Sequence, residues 1–294
     1  VNSKSEFTSN LKIILEGLLV TFLWSTSYIL IKLGLQDLPP LTFSAYRYII
    51  ASVLLLVASI ISGNIKTINI KKHLPKLLFL GFSGYSMAQG LQYVGLFYLP
   101  AVTVTFLLNF TPVIVLLLNL LLFRVFPSLF QLVGTGLALF GAYFYFLAPL
   151  KFDFLGLLAT LFSGLGWASF MIFSRQILEK DEIKPLNLTA LSMFFGAIIL
   201  LSSALIIDGP IVISPDKWVI ILWLSLINTA LAFVLWNRVL RKIKAFKLTI
   251  LQNTMLIQIG LLAWIFLSEK LTALKIIGMV MVFIGVLIVQ ITKR

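Results

Sequence analysis

The chain has 294 residues, of which 60% are hydrophobic and only 11% charged, with a mean hydropathy of +1.08 and a net charge of +13. This balance excludes a soluble globular domain and is that of an all-α membrane protein, with no room for a soluble catalytic domain beside the apolar runs. Cysteine is absent, which excludes disulfides, thiolate metal sites and a cysteine nucleophile.

A membrane-crossing helix needs about 20 apolar residues, and ten such runs succeed one another. Span 1, about 13–35, carries Glu16 and the stretch Trp24-Ser25-Thr26-Ser27-Tyr28, and is too long for the apolar core of a signal peptide, so a retained helix is expected. Pro39-Pro40 breaks it, and span 2 (about 41–62) follows with Tyr46-Arg47-Tyr48 near its outer end. A basic loop, 63–76, holds the single histidine, His73. Span 3 (about 77–99) is studded with Gly81, Gly84, Gln89, Gly90, Gln92 and Tyr93 and is expected to face the protein interior. Spans 4 (about 101–123, with Asn109) and 5 (about 127–147, with Gly134 and Gly141) close a first set, residues 1–150. Spans 6 to 10, about 154–175, 186–207, 217–236, 246–267 and 271–291, form a second set, residues 151–294.

The second set repeats the first. Ala101 answers to Ala245, Thr105 to Thr249, Asn109 to Asn253, Gly134 to Gly278 and Gly141 to Gly285, all 144 residues apart, while a shift of 143 places Trp24 on Trp167 and Lys32 on Arg175. Five is an odd number of crossings, so the two copies enter the membrane from opposite sides: ten helices as two inverted five-helix repeats. Of the 23 basic residues, only Lys32, Arg47, Lys151, Lys217, Lys270 and Lys275 fall at the outer ends, which places both termini in the cytoplasm. The positive charge is thereby explained by topology and anionic lipid, and nucleic acid is excluded as a partner. Inverted repeats with a site where the halves meet are an architecture of secondary transporters.

Polar groups inside a membrane are costly unless paired or facing a wet cavity. Asn109 and Asn253 are the leading substrate-contact candidates because both copies keep them; the alternative is a hydrogen bond to a neighbouring helix. Gln89, Gln92, Tyr93, Asn228, Asn237 and Gln252 are further candidates, with Gln89, Gln92 and Tyr93 sharing a helix face. Trp24, Tyr28, Trp167 and Trp236 are expected as cavity walls or helix-packing groups. Glu16, the clearest carboxylate within a span, is the default candidate for proton coupling, or pairs with Lys12 one turn away. Lys32 and Arg47 are expected to reach the headgroups from their helix ends, with a gate or anion-binding role as the alternative. The glycine pairs, spaced seven apart, suit close helix approach or a dimer face. No phosphate-cradling loop, metal cluster or triad is present, so no cofactor, no metal and no enzymatic reaction are expected.

With Trp24 in its small-polar setting, Tyr46-Arg47-Tyr48 ahead of a small residue and a leucine run, and Ser268-Glu269-Lys270-Leu271-Thr272 before span 10, the chain resembles the drug/metabolite transporter superfamily, EamA type. The resemblance covers nearly the whole chain. It implies an inner-membrane carrier, often an exporter of amino acids or related metabolites, whose cavity is lined mainly by spans 1, 3, 4, 6, 8 and 9, with spans 5 and 10 as scaffold. The first repeat departs from the family turn with Arg124-Val125-Phe126-Pro127, and Arg47 has Ser192 at about the equivalent place. The expected function is alternating-access transport of small amphipathic metabolites by a monomer or homodimer in the lipid bilayer. A nucleotide-sugar or organophosphate exchanger is the alternative within transport, and a lipid-modifying membrane enzyme or a receptor-like protein the alternatives outside it.

Overall fold

In the computed structural model the described backbone comprises residues 2–63, 70–145, 153–267 and 272–291, with the side chains of 2–10, 101–102, 263 and 266–267 left aside. Lys66, Lys151, Lys293, Arg294 and the Ser268 to Leu271 part of the family-like turn lie outside the described residues, as does the Lys4 side chain. The described residues are helical with no strand. The order is α1 (Asn2–Gly34), α2 (Pro40–Ile61), α3 (Ile70–Gly81), α4 (Leu91–Tyr98), α5 (Ala101–Leu108), α6 (Thr111–Phe123) and α7 (Leu129–Tyr145). The second half has α8 (Phe154–Glu179), α9 (Pro185–Ile207), α10 (Pro215–Ser225), α11 (Ala232–Lys242), α12 (Ala245–Gln252), α13 (Met255–Leu267) and α14 (Ala273–Ile291). Among the described residues eight helical stretches, three of them continuing through a break or a π-wound turn (Thr103–Phe123, Pro215–Lys242 and Ala245–Leu262), are long and apolar enough to cross a membrane, and α7 is a shorter apolar helix.

Helix starts are written in the sequence. Pro40, Pro185 and Pro215 occupy the first helical position of α2, α9 and α10, where a missing N–H costs nothing. Asp153 caps α8 by accepting from the Gly156 N–H at 2.9 Å. Asp208, at the end of α9, accepts from both the backbone N–H (3.0 Å) and the hydroxyl (2.8 Å) of Thr42, so one half caps a helix of the other.

Four spans are not plain α-helices. Between α3 and α4 the chain winds as a π-helix over Phe82–Gly90, and between α10 and α11 over Leu226–Leu231. Spans 4 and 9 break at Asn109 and Asn253, each with φ −63° and ψ −16°. In both cases the irregularity recurs at matching places of the two copies, where freed backbone groups need partners within the protein rather than lipid.

Helices α7 and α14 pack together with their glycines interlocked. A Cβ on Gly134 would stand 2.8 Å from the Gly285 carbonyl oxygen, and one on Gly141 2.6 Å from that of Gly278. Contacts pairing 134 with 285 and 141 with 278 make the two helices antiparallel. The glycines thus serve close approach within one chain, and the outward faces carry exposed Val133, Phe140, Val280 and Phe283. Helices α2 and α9 form the other long pair, joined at one end by Asp208 and Thr42 and towards the other by Ser59 donating to Asn187 Oδ1 at 2.5 Å.

Several expectations about charged side chains change. His73 lies on α3, not in a loop, and is buried with Nδ1 3.7 Å from Glu182 Oε2. Lys32 does not reach for headgroups. Its Nζ donates to the carbonyls of Leu96 and Leu99, the open end of α4, where a cation suits the helix dipole. Its counterpart Arg175 makes the same type of contact with the Leu240 and Arg241 carbonyls at the end of α11. Glu16 pairs across to Arg238 Nε at 3.3 Å, rather than with Lys12.

Candidate functional site

The aromatic core sits where the two copies meet. Trp24 of α1 touches Trp167 of α8 edge-on (ring centroids 5.7 Å apart), Phe233 (5.2 Å) and Trp236 (4.7 Å) of α11. Trp24 and Trp167 occupy matching positions of the two copies, so the halves approach along these rings. Each indole N–H is satisfied: Trp24 donates to the Asn228 carbonyl at 3.1 Å and Trp167 to Gln252 Oε1 at 2.8 Å. A buried indole body with a bonded polar edge is a rigid wall.

Beside this wall lies a narrow chamber with about 50 Å³ of room for solvent, enough for a few waters as it stands. Trp24, Ser27 and Tyr28 reach it from α1, Gln89 and Gln92 from the third span, Trp167 and Ser163 from α8, and Gln252 from α12. A smaller recess of about 20 Å³ adjoins it through Tyr28, Leu108, Thr111, Gln252 and Met255, and is lined also by Asn109 and Asn253. There Asn253 Nδ2 donates to the Asn109 carbonyl, at the break in span 4, at 3.3 Å, while Asn109 Nδ2 folds back at 2.7 Å onto the Thr105 carbonyl, which also takes the Asn109 backbone N–H. The Asn109 Oδ1 atom is buried with no partner among the described residues.

The other candidates stand behind the wall. Tyr93 is fully buried against Phe43. Asn228 Nδ2 bonds the Leu23 carbonyl and Thr26, Trp236 Nε1 points at Met171 Sδ, and Asn237 donates to Thr189 Oγ1. Span 8 therefore supports the wall through α11 and does not contribute to the lining, in contrast to what the resemblance implied. Glu16 lies off the chamber, on the pair with Arg238.

For Arg47 the sequence favoured the headgroups and kept a gate or anion-binding role as the alternative. Its place seven residues into the span points to the headgroups, but α2 begins at Pro40 and Arg47 turns inward, 3% exposed, onto the chamber lining. In the π-wound Leu226–Leu231 the Asn228 carbonyl and the Thr229 hydroxyl, which itself donates to the Leu224 carbonyl, receive its guanidinium, and no pattern in the sequence announces that winding.

Ion pairs tie loops to helix starts at both ends of the bundle. Lys217, at the start of α10, meets Asp37 at 2.6 Å. At the opposite end Glu182 meets Lys76 at 3.3 Å, with His73 behind. Burial disfavours ionising Glu182, but the Lys76 hydrogen bond and charge, followed by His73 and Lys180, outweigh it and hold the carboxyl below its ordinary range. In each case a carboxylate on the first loop of one copy reaches a base on the third span of the other.

Fold and chamber together define a multi-pass integral membrane protein. The chain belongs to the EamA-like transporter family, whose profile matches it twice, over residues 11–147 and 154–291. It is similar to the uncharacterized transporter YoaV of Bacillus subtilis (strain 168), 25% identical over 94% of this chain and 95% of the relative. It is also similar to a probable amino-acid metabolite efflux pump of Salmonella typhimurium (strain LT2), 24% identical over 92% of each chain. A solved crystal structure superposes with a TM-score of 0.77 at 16% identity, covering 94% of this chain and 96% of that one, which shows a shared fold.

Proposed function

We propose that the protein is a secondary carrier of the inner membrane. It moves small amphipathic metabolites, amino acids or their relatives, outward by alternating access between two inverted five-helix halves. The observation that carries this reading is the chamber itself, lined by side chains of both copies, with matching ion pairs between the copies at the two ends of the bundle. The antiparallel glycine contacts of α7 and α14 support the inversion, since each copy contributes the same two glycines in opposite order. The family and the relative named as an efflux pump support outward transport of metabolites. Asn109 and Asn253 are proposed to move with the helix breaks as cargo passes, and the wall residues Trp24, Tyr28, Gln89, Gln92, Trp167 and Gln252 to contact it. Tyr93, Asn228, Trp236 and Asn237 are proposed to hold that wall, and Glu16 remains a proposed coupling group. A monomer is proposed to suffice, because the glycines suited to a dimer face are taken up inside the chain.

Two measurements test this. A single cysteine at Lys71 is expected to react with an impermeant thiol reagent only from the cytoplasm, and one at Asp208 only from outside; labelling of both from one side defeats the inversion. In proteoliposomes Asn109→Ala and Asn253→Ala are each expected to lower counterflow of amino acids by about tenfold, the size of one lost hydrogen bond in a buried site. Unchanged flux in both removes the asparagines from the transport path.

A further inference from the structure

Arg47 is the single charged side chain on the chamber wall among the described residues. Its Nε donates to Thr229 Oγ1 at 2.6 Å, Nη1 to the Tyr93 hydroxyl at 2.8 Å and Nη2 to the Asn228 carbonyl at 3.1 Å, while Cζ stands 5.4 Å from the Tyr48 ring centre. All of these are neutral groups. No carboxylate of the described residues is within ion-pair distance of it. A guanidinium has five N–H donors, and the three bonds above leave one on Nη1 and one on Nη2, the pair of nitrogens that can grip a carboxylate in two-point fashion. A buried cation without a counter-ion from the protein is expensive to maintain, so this wall favours an anionic guest.

Two of the three neighbouring amides add donors to the guanidinium. Trp167 Nε1 can only donate, so Gln252 must present its oxygen to it, and this leaves the Gln252 NH₂ as a donor at the wall. Gln89 likewise spends its oxygen on the Tyr48 hydroxyl at 2.9 Å and keeps its NH₂. Gln92 does the reverse, donating Nε2 to the Tyr28 hydroxyl at 2.7 Å and keeping its oxygen, so the wall offers amide donors and an amide acceptor beside one full positive charge and, among the described residues, no negative one.

We propose that Arg47 is the anchor for a carboxylate on the cargo: the chamber takes small organic monocarboxylates, with or without an amino group, and lays their apolar part against Trp24 and Trp167. One cation balances one negative charge. A phosphate dianion would leave a net charge buried, and the next base along, Lys32, is off the chamber and committed to the Leu96 and Leu99 carbonyls. The organophosphate alternative is thereby disfavoured by charge count rather than by a lack of basic groups. This inference rests on the chamber being the transport site.

The test is a titration of the full chain in detergent, read by fluorescence of the wall tryptophans, with the matched probes L-leucine and L-leucinamide, 4-methylpentanoate and 4-methylpentanamide, and inorganic phosphate. Each carboxylate is expected to bind at least about tenfold more tightly than its amide, and phosphate more weakly than either carboxylate. Arg47→Gln is expected to erase the carboxylate preference and Arg47→Lys to keep part of it. Because Arg47→Gln also removes three internal hydrogen bonds, the wild-type comparison stands without it should that variant fail to fold. Equal binding of amides and carboxylates, tighter binding of phosphate, no carboxylate binding, or a folded Arg47→Gln chain with its preference intact would each overturn the anchor. Counterflow of the same probes in proteoliposomes separates this from the carrier reading. Amides moved as readily as carboxylates defeat the anchor alone, whereas carboxylates bound but never moved defeat the carrier alone.

Discussion

Gly141→Ala is expected to destabilise the folded protein by about 1–3 kcal/mol, the usual result of forcing atoms into a closed contact, and Gly141→Leu to prevent a monodisperse fold. A Cβ at this site would stand 2.6 Å from the Gly278 carbonyl oxygen and 2.7 Å from the Val282 nitrogen, so α7 and α14 must move apart as rigid backbones. Gly278→Ala is expected to act alike, with its Cβ 2.5 Å from the Gly141 oxygen. Gly136 supplies the control. Nothing lies within 4 Å of a Cβ there, so Gly136→Ala is expected to stabilise by about 0.5–1 kcal/mol through helix propensity alone. Thermal unfolding in detergent checks all four, and a destabilised Gly136→Ala beside an unaffected Gly141→Ala would remove the interlocked pair from the fold.

Trp24→Ala is expected to cost about 3–5 kcal/mol and to abolish transport. It empties a large side-chain volume between Trp167, Phe233 and Trp236, and it leaves the Asn228 carbonyl without its indole donor. Trp24→Phe keeps most of the ring contact, so its loss is expected to be nearer ~1 kcal/mol, that of the missing hydrogen bond. Equilibrium unfolding followed by circular dichroism separates the two variants. Equal losses would mean that the ring contacts between the halves carry little of the stability.

Much of this was legible in the chain. Apolar run length gives the helical membrane class because lipid offers backbone groups no partner, and the Trp24 and Trp167, Asn109 and Asn253, and glycine pairs mark the duplication directly. The glycines at 134, 141, 278 and 285 did not reveal whether they met within one chain or between two, since spacing defines a face but not its occupant. The π-wound segments escaped notice because their residues, from Phe82 and from Leu226, are acceptable in an ordinary helix; only the third dimension shows which carbonyls are released. The inward turn of Arg47, held only as an alternative, was hidden for a related reason. Position along a helix sets depth, but which way a long side chain turns depends on acceptors contributed by Asn228 and Thr229, far away in sequence. The ion pairs at the two ends were equally hidden, as each joins residues from different copies.

The most direct measurement of the central claim uses the natural absence of cysteine. Ser27 lines the chamber on α1, and Ser27→Cys is a near-isosteric change that supplies the only thiol. In proteoliposomes of known orientation, a small membrane-impermeant methanethiosulfonate is expected to modify that introduced thiol when added to either face. Cargo is expected to change the two rates in opposite directions as the halves tilt. Modification from one face only, at a rate indifferent to cargo, would contradict a chamber that opens to each side in turn.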